Sequence, residues 1–118
     1  MTEQLISFET AKLAKEKGFG LNSYTGFVFD EDKTELNLAF YDMENKYARP
    51  TQSLLQKWLR DKHYILVEST HYTAKYFTFK IYERNSIINI IKLGSVDNLY
   101  DTYEEALEKG LQEALKLI

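Results

Sequence analysis

Apolar residues recur along this chain at two spacings, and the changes from one to the other mark out its elements. Phe8, Ala11, Leu13 and Ala14 fall at helical spacing and predict a helix over Phe8 to Lys17. Ser7 is suited to cap it, since a serine hydroxyl accepts from a free N–H of the first turn. Ile6 stands where it can staple onto Ala11, and Gly18 supplies a left-handed stop. Leu54, Leu55, Trp58 and Leu59 predict a second helix over Gln52 to Lys62, capped by Thr51 after Pro50, with Gln52, Gln56, Lys57 and Arg60 off its apolar face. Ala106, Leu107, Gly110, Leu111, Ala114 and Leu115 predict a third, over Tyr103 to Leu117. Thr102 and Glu105 there form a capping box, and the acids of the first turn favour the helix dipole.

Between these helices the period shortens to two. Gly26 to Asp30 and Glu35 to Tyr41 read as two strands joined through Glu31-Asp32-Lys33-Thr34. Tyr64 to Glu68, Ala74 to Glu83 and Ile87 to Leu93 read as three more. In Tyr76-Phe77-Thr78-Phe79-Lys80-Ile81-Tyr82 the odd positions are apolar, while Tyr76, Thr78, Lys80 and Tyr82 take the other face. Asn85-Ser86 turns the chain into the last strand. The predicted order is α-β-β-α-β-β-β-α: an α+β single domain over residues 1–118, with a mainly antiparallel sheet of about five strands and three helices. In Ile87-Ile88-Asn89-Ile90-Ile91-Lys92-Leu93 isoleucines occupy both parities, so either register puts apolar groups on both faces. Each face then needs a cover: helices on both sides within the monomer, or another subunit on one.

Composition adds mainly exclusions. A 118-residue chain with 44% hydrophobic and 28% charged residues is long enough and apolar enough for one core. The nine Tyr and seven Phe suit strands and contact surfaces alike. No cysteine is present, so thiolate catalysis, disulfides and Cys-held metals are excluded, and a reducing compartment fits. Met1 to Lys17 contains Glu3 and Glu9 without a continuous apolar stretch, which argues against a secretory signal. The Ile87 to Ile91 run is too short to span a bilayer. The expectation is a cytoplasmic protein without a membrane segment.

The net charge of −3 argues against a dedicated nucleic-acid binder. The charge is uneven, however. Lys46, Arg49, Lys57, Arg60 and Lys62 face only one acid, Asp61, in their stretch, and Asp101, Glu104, Glu105, Glu108 and Glu113 dominate the last one. Arg49, Gln52, Gln56, Lys57 and Arg60 are therefore candidate nucleic-acid contacts, with the tyrosine face as a stacking platform. Set against this, charges on a helix's outer side usually form a solvated face, and Trp58 shares the core stripe.

Other chemistry has little support. His63 and His71 are the only histidines and lie on different elements, short of the three ligands zinc needs. Asp30-Glu31-Asp32 reads as a solvated hairpin tip, and Asp97 to Asp101 lacks the glycine of a calcium loop. Gly18-Phe19-Gly20 lacks the remaining residues of a phosphate loop. No catalytic residue, metal or cofactor is assigned.

Three stretches resemble a known family: Ile6 through Phe19, Ala48-Arg49-Pro50-Thr51-Gln52 through Arg60, and Tyr103-Glu104-Glu105-Ala106-Leu107-Glu108 through Leu117. Together they are similar to a family of small proteins without an assigned activity, carried by gut Bacteroidetes and their phages. In that family Ala directly precedes Pro-Thr-Gln, where this chain has the charged Arg49. The resemblance covers about a third of the chain. It implies a phage or mobile-element context and transfers no functional residues.

These features together point to a non-enzymatic protein-interaction module, with a homodimer among its forms and Tyr76, Lys80 and Tyr82 as the candidate interaction surface. A nucleic-acid accessory protein is the alternative, and an unrecognised enzyme the third.

Overall fold

Each helix begins where the local capping chemistry places it. In the computed structural model, which describes residues 4–19, 27–29, 35–37, 47–84, 88–93 and 99–118, α1 spans Phe8–Glu16, α2 spans Gln52–His63 and α3 spans Tyr103–Leu117. The side chains of Ser7, Thr51 and Thr102 accept from the backbone N–H groups of Thr10, Leu54 and Glu105, respectively. Gly18 takes φ +99°, the left-handed stop expected after α1. The stop after α2 is different: Tyr64 adopts φ 57° and donates its N–H to the Leu59 carbonyl. A left-handed tyrosine has no composition signal, so Tyr64 is a helix cap and not the first residue of a strand.

Six strands are described: β1 (Phe27–Phe29), β2 (Glu35–Asn37), β3 (Tyr47–Ala48), β4 (Ile65–His71), β5 (Phe77–Arg84) and β6 (Ile88–Leu93). The α+β class, the three helices and the antiparallel pairing agree with the sequence reading. In place of the one sheet of about five strands expected, the described strands form two three-stranded ladders, ordered β2-β1-β3 and β4-β5-β6, because no hydrogen-bonded pairing among the described residues joins the first three strands to the last three. β3 went unread because two residues carry no periodicity. Leu38 to Tyr41, Asn85-Ser86, Asp30-Glu31-Asp32, Gly20, Lys46 and Asp97 lie outside the described residues.

The β6 register departs from plain alternation. Ile88, Asn89 and Ile90 pair with Arg84, Glu83 and Tyr82, whereas Lys92 and Leu93 pair with Ile81 and Lys80. The shift between Ile81 and Tyr82 leaves Ile91 unpaired, as a bulge does, and reverses the parity of Lys92 and Leu93. By register, Ile90 therefore shares a row with Tyr82 and Leu66, and Leu93 shares one with Lys80 and Glu68.

One apolar cluster joins all three helices to β3, β4 and β5. Ile6, Ala11, Ala14, Leu55, Leu59, Val67, Phe79, Ile81, Leu107, Leu111, Ala114 and Leu115 are among its members. α3 lies across β4 and β5, and it sits close because residue 110 is glycine. A Cβ there would stand 2.9 Å from Phe79 Cβ and 3.0 Å from Val67 Cγ1. α1 packs on α3 and on β3, and α2 flanks β4 and α3. The segment before α1 is tied down by the segment before α2: Ile6 N–H donates to the Pro50 carbonyl at 3.0 Å, and Gln52 N–H to that of Gln4 at 2.8 Å.

Candidate functional site

The β4–β5 hairpin has two unlike faces, and its register assigns residues to each. Ile65, Val67 and Ser69 pair with Glu83, Ile81 and Phe79 on the face under α3, and there Ile65, Val67, Ser69, Phe79 and Ile81 are buried. On the other face Leu66 pairs with Tyr82, Glu68 with Lys80 and Thr70 with Thr78. Tyr72 N–H donates to the Tyr76 carbonyl at 2.8 Å, which continues the same register one step into the loop.

This outer face holds all three residues of the expected interaction surface. Tyr76, Lys80 and Tyr82 are half-buried there, as are Leu66 and Thr70; Glu68 is exposed, Tyr72 is 47% exposed, and Thr78 is buried. The expectation left open whether helices cover both sides of the sheet. Among the described residues, the helix packed across β4 and β5 is α3, on the Phe79 and Ile81 side. The Tyr82 hydroxyl donates to Glu68 Oε1 at 2.8 Å, reaching diagonally across the two strands. That bond, then burial, then the negative charge of Glu68 raise the tyrosine above its ordinary value of 10.0. Lys75 sits over the Tyr76 ring at 5.5 Å, a cation on an aromatic face at the tip of the hairpin.

A chain of rings supports that tip from the α3 side. His71 stacks on Phe77 at 4.3 Å, and Phe77 meets Tyr103 edge-on at 6.2 Å. Phe77 also exchanges two backbone hydrogen bonds with Tyr100, of 2.8 and 2.9 Å. None of these contacts was legible beforehand, because they join residues from β4, β5 and the start of α3.

The candidate nucleic-acid contacts do not form one outward face. Gln52 is the clearest correction: it is only 4% exposed, and its amide donates to the Glu104 carbonyl at 2.9 Å and to Glu108 Oε1 at 3.0 Å. The packing of α3 on the start of α2 turns this position inward, which the helix period alone does not reveal. Gln56 donates to the Val67 carbonyl at 2.7 Å, and Arg49 Nε to the Ile6 carbonyl at 3.0 Å. Lys57 and Arg60 remain outside, Lys57 paired with Asp61 at 2.5 Å and Arg60 Nε 3.9 Å from the same carboxylate. Trp58 is half-buried between the rings of Phe19 at 5.3 Å and His63 at 4.8 Å. Leu54, expected on the apolar stripe, is 44% exposed.

Among the described residues, Glu108 gathers a polar network that joins the three helices. Its Oε2 accepts from the backbone N–H of Ser7 at 2.9 Å and from the Thr10 hydroxyl, and its Oε1 accepts from Gln52. Gln112 adds a bond to Thr10 Oγ1 at 3.1 Å. A groove of about 590 Å³ opens beside this network, lined by residues including Gln4, Tyr100, Glu105, Lys109 and Gln112. With three donors on its carboxylate, Glu108 is an acceptor that joins α1 and α2 to α3, not an unengaged base. Among the described residues no group of three or more His, Cys, Asp or Glu side chains is placed to hold a metal, and no helix is long and apolar enough to cross a membrane. Comparison with protein-family models, curated proteins and solved structures returns no match for this chain.

Proposed function

We propose that the protein is a non-enzymatic interaction module that binds another protein through the outer face of β4 and β5. The observation that carries this reading is the asymmetry of the hairpin. One face is closed under α3; the other sets Leu66, Tyr72, Tyr76 and Tyr82 beside Glu68 and Lys80. Tyrosines supply large contact area at low entropic cost, and such residues with a few charges are the composition of binding patches. We place its action in the cytoplasm, with which the cysteine-free composition is consistent, and in the phage or mobile-element context implied by the resemblance at the three helices. The nucleic-acid reading loses support because Gln52, Gln56 and Arg49 are engaged inside the fold.

The test is a comparison of the wild type with Tyr76→Ala and Tyr82→Ala combined. A partner held by the wild type in cross-linked host cells is lost from the double variant, while circular dichroism of the two stays the same. Retention of every partner by the folded double variant sinks the reading.

A further inference from the structure

The reading of the outer face as a protein-binding surface leaves the partner open, and the charges on that face narrow it. Glu68 and Lys80 stand directly opposite each other in the ladder, yet they do not pair. Glu68 Oε1 is turned to the Tyr82 hydroxyl, and Glu68 Oε2 and the Lys80 ammonium have no partner among the described residues. A half-buried cation and a half-used anion thus lie side by side near the middle of the face. On one side of them is the pair of Leu66 and Tyr82; toward the hairpin tip are Thr70, opposite the buried and engaged Thr78, and then Tyr72 with Tyr76.

We propose that the occupant is a second copy of this chain, seated face to face about a two-fold axis passing between Glu68 and Lys80. Lys80 of each copy then pairs with Glu68 of the other. A surface used identically by both copies has to be complementary to itself, and a patch of one sign would repel its own image. One acid and one base straddling a single point satisfy that condition. Burying Lys80 further without an anion is costly, and Glu68 of the second copy supplies one. Association by adding a strand at β4 is disfavoured, because the Gln56 side chain already occupies the Val67 carbonyl of this edge strand.

The test measures the mass of the full chain in solution over a range of concentrations, for the wild type and for Glu68→Lys and Lys80→Glu singly. The wild-type mass rises from one chain toward two. Each single reversal weakens association by about tenfold or more, because like charges then face each other across the axis. An equimolar mixture of the two reversals associates although neither does alone, an outcome that damage to the fold does not produce. A wild type that stays at the mass of one chain, or association indifferent to both reversals, overturns the proposal. If the wild type is monomeric but the reversals abolish capture of a different protein, the second copy is excluded and the interaction face stands. If capture is also indifferent to the reversals and to Tyr76→Ala with Tyr82→Ala, both fail.

Discussion

The carboxylate of Glu108 accepts the backbone N–H of Ser7 at 2.9 Å, so a side chain of α3 engages the cap residue of α1. The same group takes the Thr10 hydroxyl and the Gln52 amide, and the start of α2 is thereby held at the same point. The network is partly buried, and removing one partner of such a network leaves the others unpaired, at about 1–3 kcal/mol. Glu108→Ala is expected to lower stability by about 2 kcal/mol, and Glu108→Gln by less, since one acceptor survives. Urea denaturation of the three proteins checks the order.

Gly110 sets two effects against each other. Alanine in a helix interior is favoured over glycine by about 1 kcal/mol. The new Cβ, however, would stand 2.9 Å from Phe79 Cβ, an atom next to the β5 backbone that has no rotamer to escape into. Overpacking of this kind costs about 1–3 kcal/mol. Gly110→Ala is therefore expected to lower the melting temperature despite its better helix propensity; an unchanged or higher value would show that α3 can lift off the sheet cheaply.

Ser69 gives the opposite expectation. Its hydroxyl is buried under α3 without a hydrogen-bond partner among the described residues, on the face shared with Phe79 and Val67. Deleting an unsatisfied polar atom removes a desolvation cost while leaving the packing nearly intact. Ser69→Ala is predicted to be neutral or to stabilise by up to about 1 kcal/mol, read by the same denaturation.

Tyr82 makes stability depend on alkaline pH. Its hydroxyl donates to Glu68 and is raised above 10.0 in the folded chain, so the fold binds this proton more tightly than the unfolded chain does. The contribution is complete below 10.0, because both states are then protonated. It shrinks once the unfolded phenol ionises, and it is lost as pH climbs through the raised folded value. The stability advantage of the wild type over Tyr82→Phe should accordingly narrow with rising pH. A gap that stays constant across that range would mean the hydroxyl does not bond Glu68 in solution.

What was legible in the sequence was local. Ser7, Thr51 and Thr102 cap the helices as read, since a cap needs only its own first turn. The alternation through β5 separated Phe79 and Ile81 from Lys80 and Tyr82 for the same reason. Gln52 was misplaced because its burial is decided by Glu104 and Glu108, more than fifty positions away. Likewise the β6 bulge depends on what β5 presents, and Tyr64 closes α2 in a conformation its side chain does not advertise. Of the candidate site, the three named residues do share one face. Glu68 and Tyr72, which give that face its acid and its exposed ring, are not legible because the register of β4 on β5, which sets them opposite Lys80 and Tyr76, is not written in either segment alone.

The attachment of α1 also bears on how the chain is made. Ser7 N–H waits for Glu108 and Lys17 Nζ reaches the Ile118 carbonyl, each contact spanning 101 positions. Of the three described helices, the first in chain order is thus anchored by the last. A nascent chain arrested on the ribosome before Tyr103 is expected to hold α1 only through β3 and the Ile6–Pro50 bond, leaving it more open to protease than after α3 has emerged. Until then the side of α1 that packs on α3 faces solvent rather than a core.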